Sequence, residues 1–67
     1  MEQKILIIDD EESILELLTL NLEIYGYKVF TSNTGKGVLE KIIEIQPNII
    51  SKRTNGFHVT YFKVSKF

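Results

Sequence analysis

Sixty-seven residues allow one small domain, and a chain of this size buries only about 60% of the surface it exposes when unfolded. Apolar residues at 43% and charged residues at 25% are ordinary for a globular protein and argue against disorder; the absence of cysteine excludes disulfides and thiolate metal sites. The net charge of −1 hides a division: all 9 acids lie in residues 1–50, whereas residues 51–67 hold Lys52, Arg53, Lys63 and Lys66 and no acid.

Residues 4–8, KILII, form a short aliphatic run that stops at acids. Such a run predicts a strand buried on both faces, the pattern of a parallel sheet. Ser13 and Glu16 have capping-box spacing, so a helix is predicted to open near Ser13. Its apolar residues, from Ile14 and Leu15 to Ile24 and Tyr25, make a surface too broad to be solvated alone; Glu16, Thr19 and Glu23 form its wet stripe. Gly26 is placed to end it.

Tyr27 to Thr31, YKVFT, predicts a second strand. Ser32 to Gly35 predict a turn and a second helix start. Val38, Leu39, Ile42, Ile43 and Ile45 then follow at helical spacing. Gly37 is read as a weak point within that helix, and Pro47 as its end. Asn48, Ile49 and Ile50 open a third strand. Residues 1–50 therefore read β-α-β-α-β, which implies right-handed crossovers and a parallel sheet.

After Ile50 the pattern changes. Asn55-Gly56 is a strong two-residue hairpin signal. Phe57, Val59 and Tyr61 alternate with His58 and Thr60, and the phase slips at Tyr61-Phe62, where a bulge could reset it. The segment predicts a hairpin with strands near 48–53 and 57–65, its apolar side chains covering the open sheet edge; the alternative is a frayed tail. The organisation expected is thus 1–50 as one unit and 51–67 as a basic, aromatic tail.

Asp9 and Asp10 fall at the carboxyl end of the first strand, where parallel sheets bind ligands. Two adjacent carboxylates on a turn suit a hard divalent cation such as Mg2+. The plainer reading is an acidic helix start favoured by the helix dipole, and Glu11 and Glu12 are assigned to it. His58 stands alone, without metal-ligand spacing around it. Gly35-Lys36-Gly37 lacks the spacing of a phosphate loop.

An aliphatic strand ending in Asp-Asp-Glu at the head of a βαβ pattern resembles the receiver domain of bacterial two-component response regulators. The matching words are KILIIDDEESILELLTLNLEIYGYKV and TGKGVLEKIIEIQPN, within residues 3–50. "IDDE … LL … NLE … GYKV" looks most like receivers that carry a winged-helix DNA-binding domain downstream. The fold implied is α/β, a partial flavodoxin-like β-α-β-α-β with parallel strand order 2-1-3, extended by a C-terminal antiparallel hairpin strand. The match reaches the first three of the five strands in the order 2-1-3-4-5.

The resemblance implies phosphorelay signalling, with a sensor histidine kinase as partner and Mg2+ as cofactor. It makes Asp10 a direct metal ligand and Asp9 a ligand acting through bound water. The family's phosphoacceptor aspartate follows the third strand, but here Arg53 falls at that place, and no acid occurs after Glu44. Arg53 is expected to pair with Asp9 or Asp10 instead. The expectation is a receiver interrupted near Ile50, as a truncated or frameshifted gene would produce: cytoplasmic, not an enzyme, and unable to accept phosphate. The competing reading is a non-catalytic interaction module. Its exposed sheet edge could self-associate, while four positive charges without a groove-reading element are a poor signal for nucleic acid. No apolar run suits a membrane.

Overall fold

The computed structural model describes residues 3–54 and 56–62. Strands β1 (Lys4–Ile8), β2 (Lys28–Ser32), β3 (Ile49–Thr54) and β4 (Phe57–Phe62) alternate with helices α1 (Glu12–Ile24) and α2 (Val38–Ile45), the last two strands being consecutive. They form one sheet in the order β2-β1-β3-β4. β1 pairs in parallel with β2 and with β3, and β3 pairs antiparallel with β4. This is an α/β fold with the 2-1-3 order of a partial receiver, extended by a hairpin strand.

β1 is central because its apolar run suits burial on both faces. Ile5 and Ile7 pack with Leu15 of α1, and Leu18, Leu22, Tyr27, Val29 and Ile49 surround that cluster. Leu6 and Ile8 point to the opposite face, by the two-residue period of a strand, and are also buried. Right-handed crossovers account for this. The chain steps from β1 to β2 in one direction and from β2 to β3 in the other, which puts α1 and α2 on opposite faces.

The strand ends are tied across long stretches of chain. Lys4 donates its backbone N–H to Asn48 Oδ1 (2.9 Å), and its carbonyl accepts the N–H of Asn48 (2.8 Å). The Lys4 ammonium donates to the carbonyl of Ile45 (3.1 Å), placing a cation at the C-terminus of α2, where the helix dipole favours it.

Several local expectations are corrected. α1 opens at Glu12 with Glu11 as its N-cap, and no side chain caps it; Ser13 lies inside the helix. Only Leu15, Leu18 and Leu22, spaced i, i+3, i+7, reach the core from α1, whereas Leu17, Leu20, Ile24 and Tyr25 are exposed. One helix on one sheet face can bury only a single stripe. β2 begins one residue late and includes Ser32, because the Ser32 carbonyl accepts the N–H of Asp9 (3.0 Å) and continues the ladder.

Gly37 is the N-cap of α2 rather than an interior residue, and its φ of 70° suits glycine. The hairpin forms. Its register runs unbroken from Thr54↔Phe57 to Ile49↔Phe62, so no bulge interrupts Tyr61-Phe62. Asn55 and residues 63–65, the other parts of the expected hairpin, lie outside the described residues. Phe57, Val59 and Tyr61 do not fold over the edge but remain exposed. No described helix is long and apolar enough to cross a membrane.

Candidate functional site

The site is built at the carboxyl end of β1. The parallel register sets Ile8 beside Lys52, so the next residue, Asp9, comes beside Arg53. The antiparallel register sets Arg53 directly across from His58. Asp9 has the parity of Ile5 and Ile7, which turns its side chain toward the start of α1. Three strands and one helix start thus converge on one carboxylate.

That carboxylate is buried, with 2% of Asp9 exposed. Its Oδ1 accepts the backbone N–H of Glu11 (2.9 Å) and lies 3.5 Å from Arg53 Nη1. Its Oδ2 lies 3.0 Å from His58 Nε2. The imidazole is close enough for an ion pair when protonated, but it is not aligned as a hydrogen bond, and Oδ2 accepts none among the described residues. Arg53 also donates to the carboxylate of Glu11.

Burial pushes the Asp9 carboxyl up, but the Glu11 N–H, the Arg53 guanidinium and the charge of His58 together hold it below the usual carboxylate range. The hydrogen bond and charge of Glu11 raise Arg53 above its ordinary value, opposed by partial desolvation and assisted by Asp9 and Asp10. The cluster therefore sets the fixed charge of Arg53 against the carboxylates of Asp9 and Glu11. Repulsion within Asp9–Glu12 is offset from within the chain.

The structure brings Arg53 to Asp9, one of the two acids expected, and also to Glu11, which was assigned only to the helix start. Asp10 is exposed and makes no ion pair among the described residues. Sequence reading missed His58 as a partner of Asp9. The signal lay in the hairpin: a two-residue turn that pairs residues 54 and 57 necessarily pairs Arg53 with His58.

A divalent cation fits this donor set poorly. Magnesium requires octahedral oxygen ligands and keeps several waters. Here Asp9 Oδ1 already takes the Glu11 N–H and faces Arg53, Oδ2 is buried beneath the His58 ring, Glu11 is held by Arg53, and Asp10 is left as an exposed carboxylate with no ion pair among the described residues. Among the described residues, no group of three His, Cys, Asp or Glu side chains is placed to hold a metal.

Comparison with known proteins gives the lineage. The chain is 48% identical over 50 residues to the alkaline phosphatase synthesis transcriptional regulatory protein PhoP of Bacillus subtilis, covering 75% of this chain and 21% of that protein. It is 44% identical over 46 residues to the transcriptional regulatory protein KdpE of Mycobacterium tuberculosis, covering 69% of this chain and 20% of that one. The N-terminal part of the chain belongs to the response-regulator receivers. No protein-family model matches the chain. This receiver sequence spans about a fifth of the length of the curated relatives it matches. Receivers of this family bind Mg2+ in general, and Asp9 occupies the strand end where the resemblance places the metal-side acids.

Proposed function

We propose that the chain is a receiver-derived module of a two-component system that does not accept a phosphoryl group at the end of β3. One observation carries this reading: Arg53, at the place where the resemblance puts the acceptor aspartate, turns its guanidinium onto Asp9 and Glu11. A guanidinium offers no nucleophilic oxygen, and this one stays charged. The sequence holds no acid after Glu44 to take over the role.

In this reading residues 1–50 are the receiver part and residues 51–67 the departure from it. Asp9 and Asp10 are the counterparts of the family's acid pair, standing where the family has a direct Mg2+ ligand (Asp10) and one that acts through water (Asp9). The departure after Ile50 reflects an interrupted receiver gene. A sensor histidine kinase is the partner by lineage, transcriptional control is the role that the relatives' names support, and the chain itself is not an enzyme.

The test is incubation with a labelled small phosphodonor and Mg2+, followed by intact-mass measurement. The expected result is an unchanged mass. A stable acyl phosphate on any residue would overturn the reading.

A second reading, an interaction module, is favoured by β4. It is the outer strand of the sheet, and Phe57, Val59 and Tyr61 on it are exposed. An exposed apolar edge strand is a template for pairing with another copy.

A further inference from the structure

We propose that Arg53 forms a built-in counter-ion for Asp9 and the His58 ring covers its second oxygen, so that this acid pair takes up no divalent cation. The inference rests on Asp9 and Asp10 being the family's acid pair, and it reverses what that pair would otherwise do.

Position supports it first. Arg53 is fixed by β3, whose register with β1 sets it beside Asp9, and its distal nitrogen lies 3.5 Å from Oδ1. His58 is fixed by β4 directly across from Arg53 and covers Oδ2 at 3.0 Å. One carboxylate oxygen thus faces the guanidinium and the other the imidazole. A cation held on the same chain acts at a high effective concentration, which a dissolved ion must exceed.

Ligand supply supports it second. The Glu11 N–H occupies Oδ1 from the helix side, and the Glu11 carboxylate, another oxygen donor beside Asp9, is bound to Arg53. A metal entering between Asp9 and Asp10 would have to displace Arg53 or accept a positive neighbour at short range. Asp10 alone, exposed and single, offers a weak site.

The test uses Mn2+ as the probe on isotope-labelled full chain, with no phosphodonor, so its outcome is independent of phosphoryl transfer. Amide resonances of Asp9, Asp10 and Glu11 are followed during titration of the natural sequence, of Arg53→Ala/His58→Ala, and of Arg53→Gln, which keeps the stem while removing the charge. The natural sequence should show no saturable broadening at millimolar Mn2+. Both variants should show saturable broadening, at least about tenfold tighter than any in the natural sequence, as loss of a charge repulsion requires. Saturable broadening in the natural sequence, or no gain in either variant, overturns the proposal. A variant unfolded without metal must regain its circular dichroism as Mn2+ is added; if neither does, the proposal also fails.

Discussion

β1 and β4 are both strands rich in large apolar residues, yet they have opposite fates. Leu6 and Ile7 of β1 are fully buried, whereas Phe57 of β4 is 73% exposed. β1 has a hydrogen-bonded neighbour on each side and is buried on both faces; β4 has one neighbour. Burial here follows place in the sheet order more than apolar content. The two regions meet through Asp9, Arg53 and His58, where the buried strand's last carboxylate is held by side chains of the exposed hairpin.

The largest effect should come from Leu6→Ala. Truncating a fully buried leucine typically costs about 2–5 kcal/mol, a large share of the stability of so small a domain. Denaturant unfolding followed by circular dichroism should show the cooperative transition weakened or lost. A shift no larger than that of Phe57→Ala would break the contrast between the strands.

Asp9→Asn should rank second. It keeps the shape and an acceptor for the Glu11 N–H but removes the charge that faces Arg53 and His58, for a loss of about 1–3 kcal/mol. The same unfolding measurement checks it. An unchanged midpoint would mean that the two regions are not coupled through this residue.

Acid should act through the same group. The Asp9 carboxyl is depressed in the folded chain, so in the unfolded chain it takes up its proton first as pH falls. Its contribution is fully present above about pH 4 and is lost as pH drops through the lower folded value; stability rises with pH across that window. Unfolding midpoints measured from acid to neutral pH should show a slope in the natural sequence that is reduced in Asp9→Asn. Equal slopes would remove Asp9 as the cause.

Val59→Lys should have the smallest effect on stability, within about 0.5 kcal/mol, as for most surface substitutions. It should still reduce any self-association seen by sedimentation velocity, because lysine on an edge strand disfavours pairing. A large drop in stability would mean that β4 is more integral to the core than its exposure indicates.

The sequence made β1 and Asp9 legible because an aliphatic run that ends in acids carries both the strand and its end. The parallel sheet followed from the alternation of strands and helices, and the order β2-β1-β3 from the family resemblance. The start of α1 was less legible, since Ser13 and Glu16 have capping-box spacing but the helix opens a residue earlier, with the Asp9 carboxylate taking the Glu11 N–H. Periodicity overstated the buried face of α1, because it marks which residues are apolar and not how wide a surface the sheet offers. His58 was hidden from spacing rules altogether. Its partner lies 49 positions earlier in the sequence, and only the hairpin register carries it there.

The clasp between Lys4 and Asn48 bears on the order in which the chain acquires its structure. Its two residues are 44 positions apart, so β1 waits for β3 before one of its edges is paired. β4, by contrast, closes onto its immediate predecessor. Local contacts of that kind form early and distant ones late, so the hairpin is expected to close ahead of the strand that becomes the centre of the sheet. On a ribosome, the edge of β1 that takes β3 would stay unpaired while the 44 positions up to Asn48 are made, an interval in which a nascent chain is open to chaperones and to aggregation.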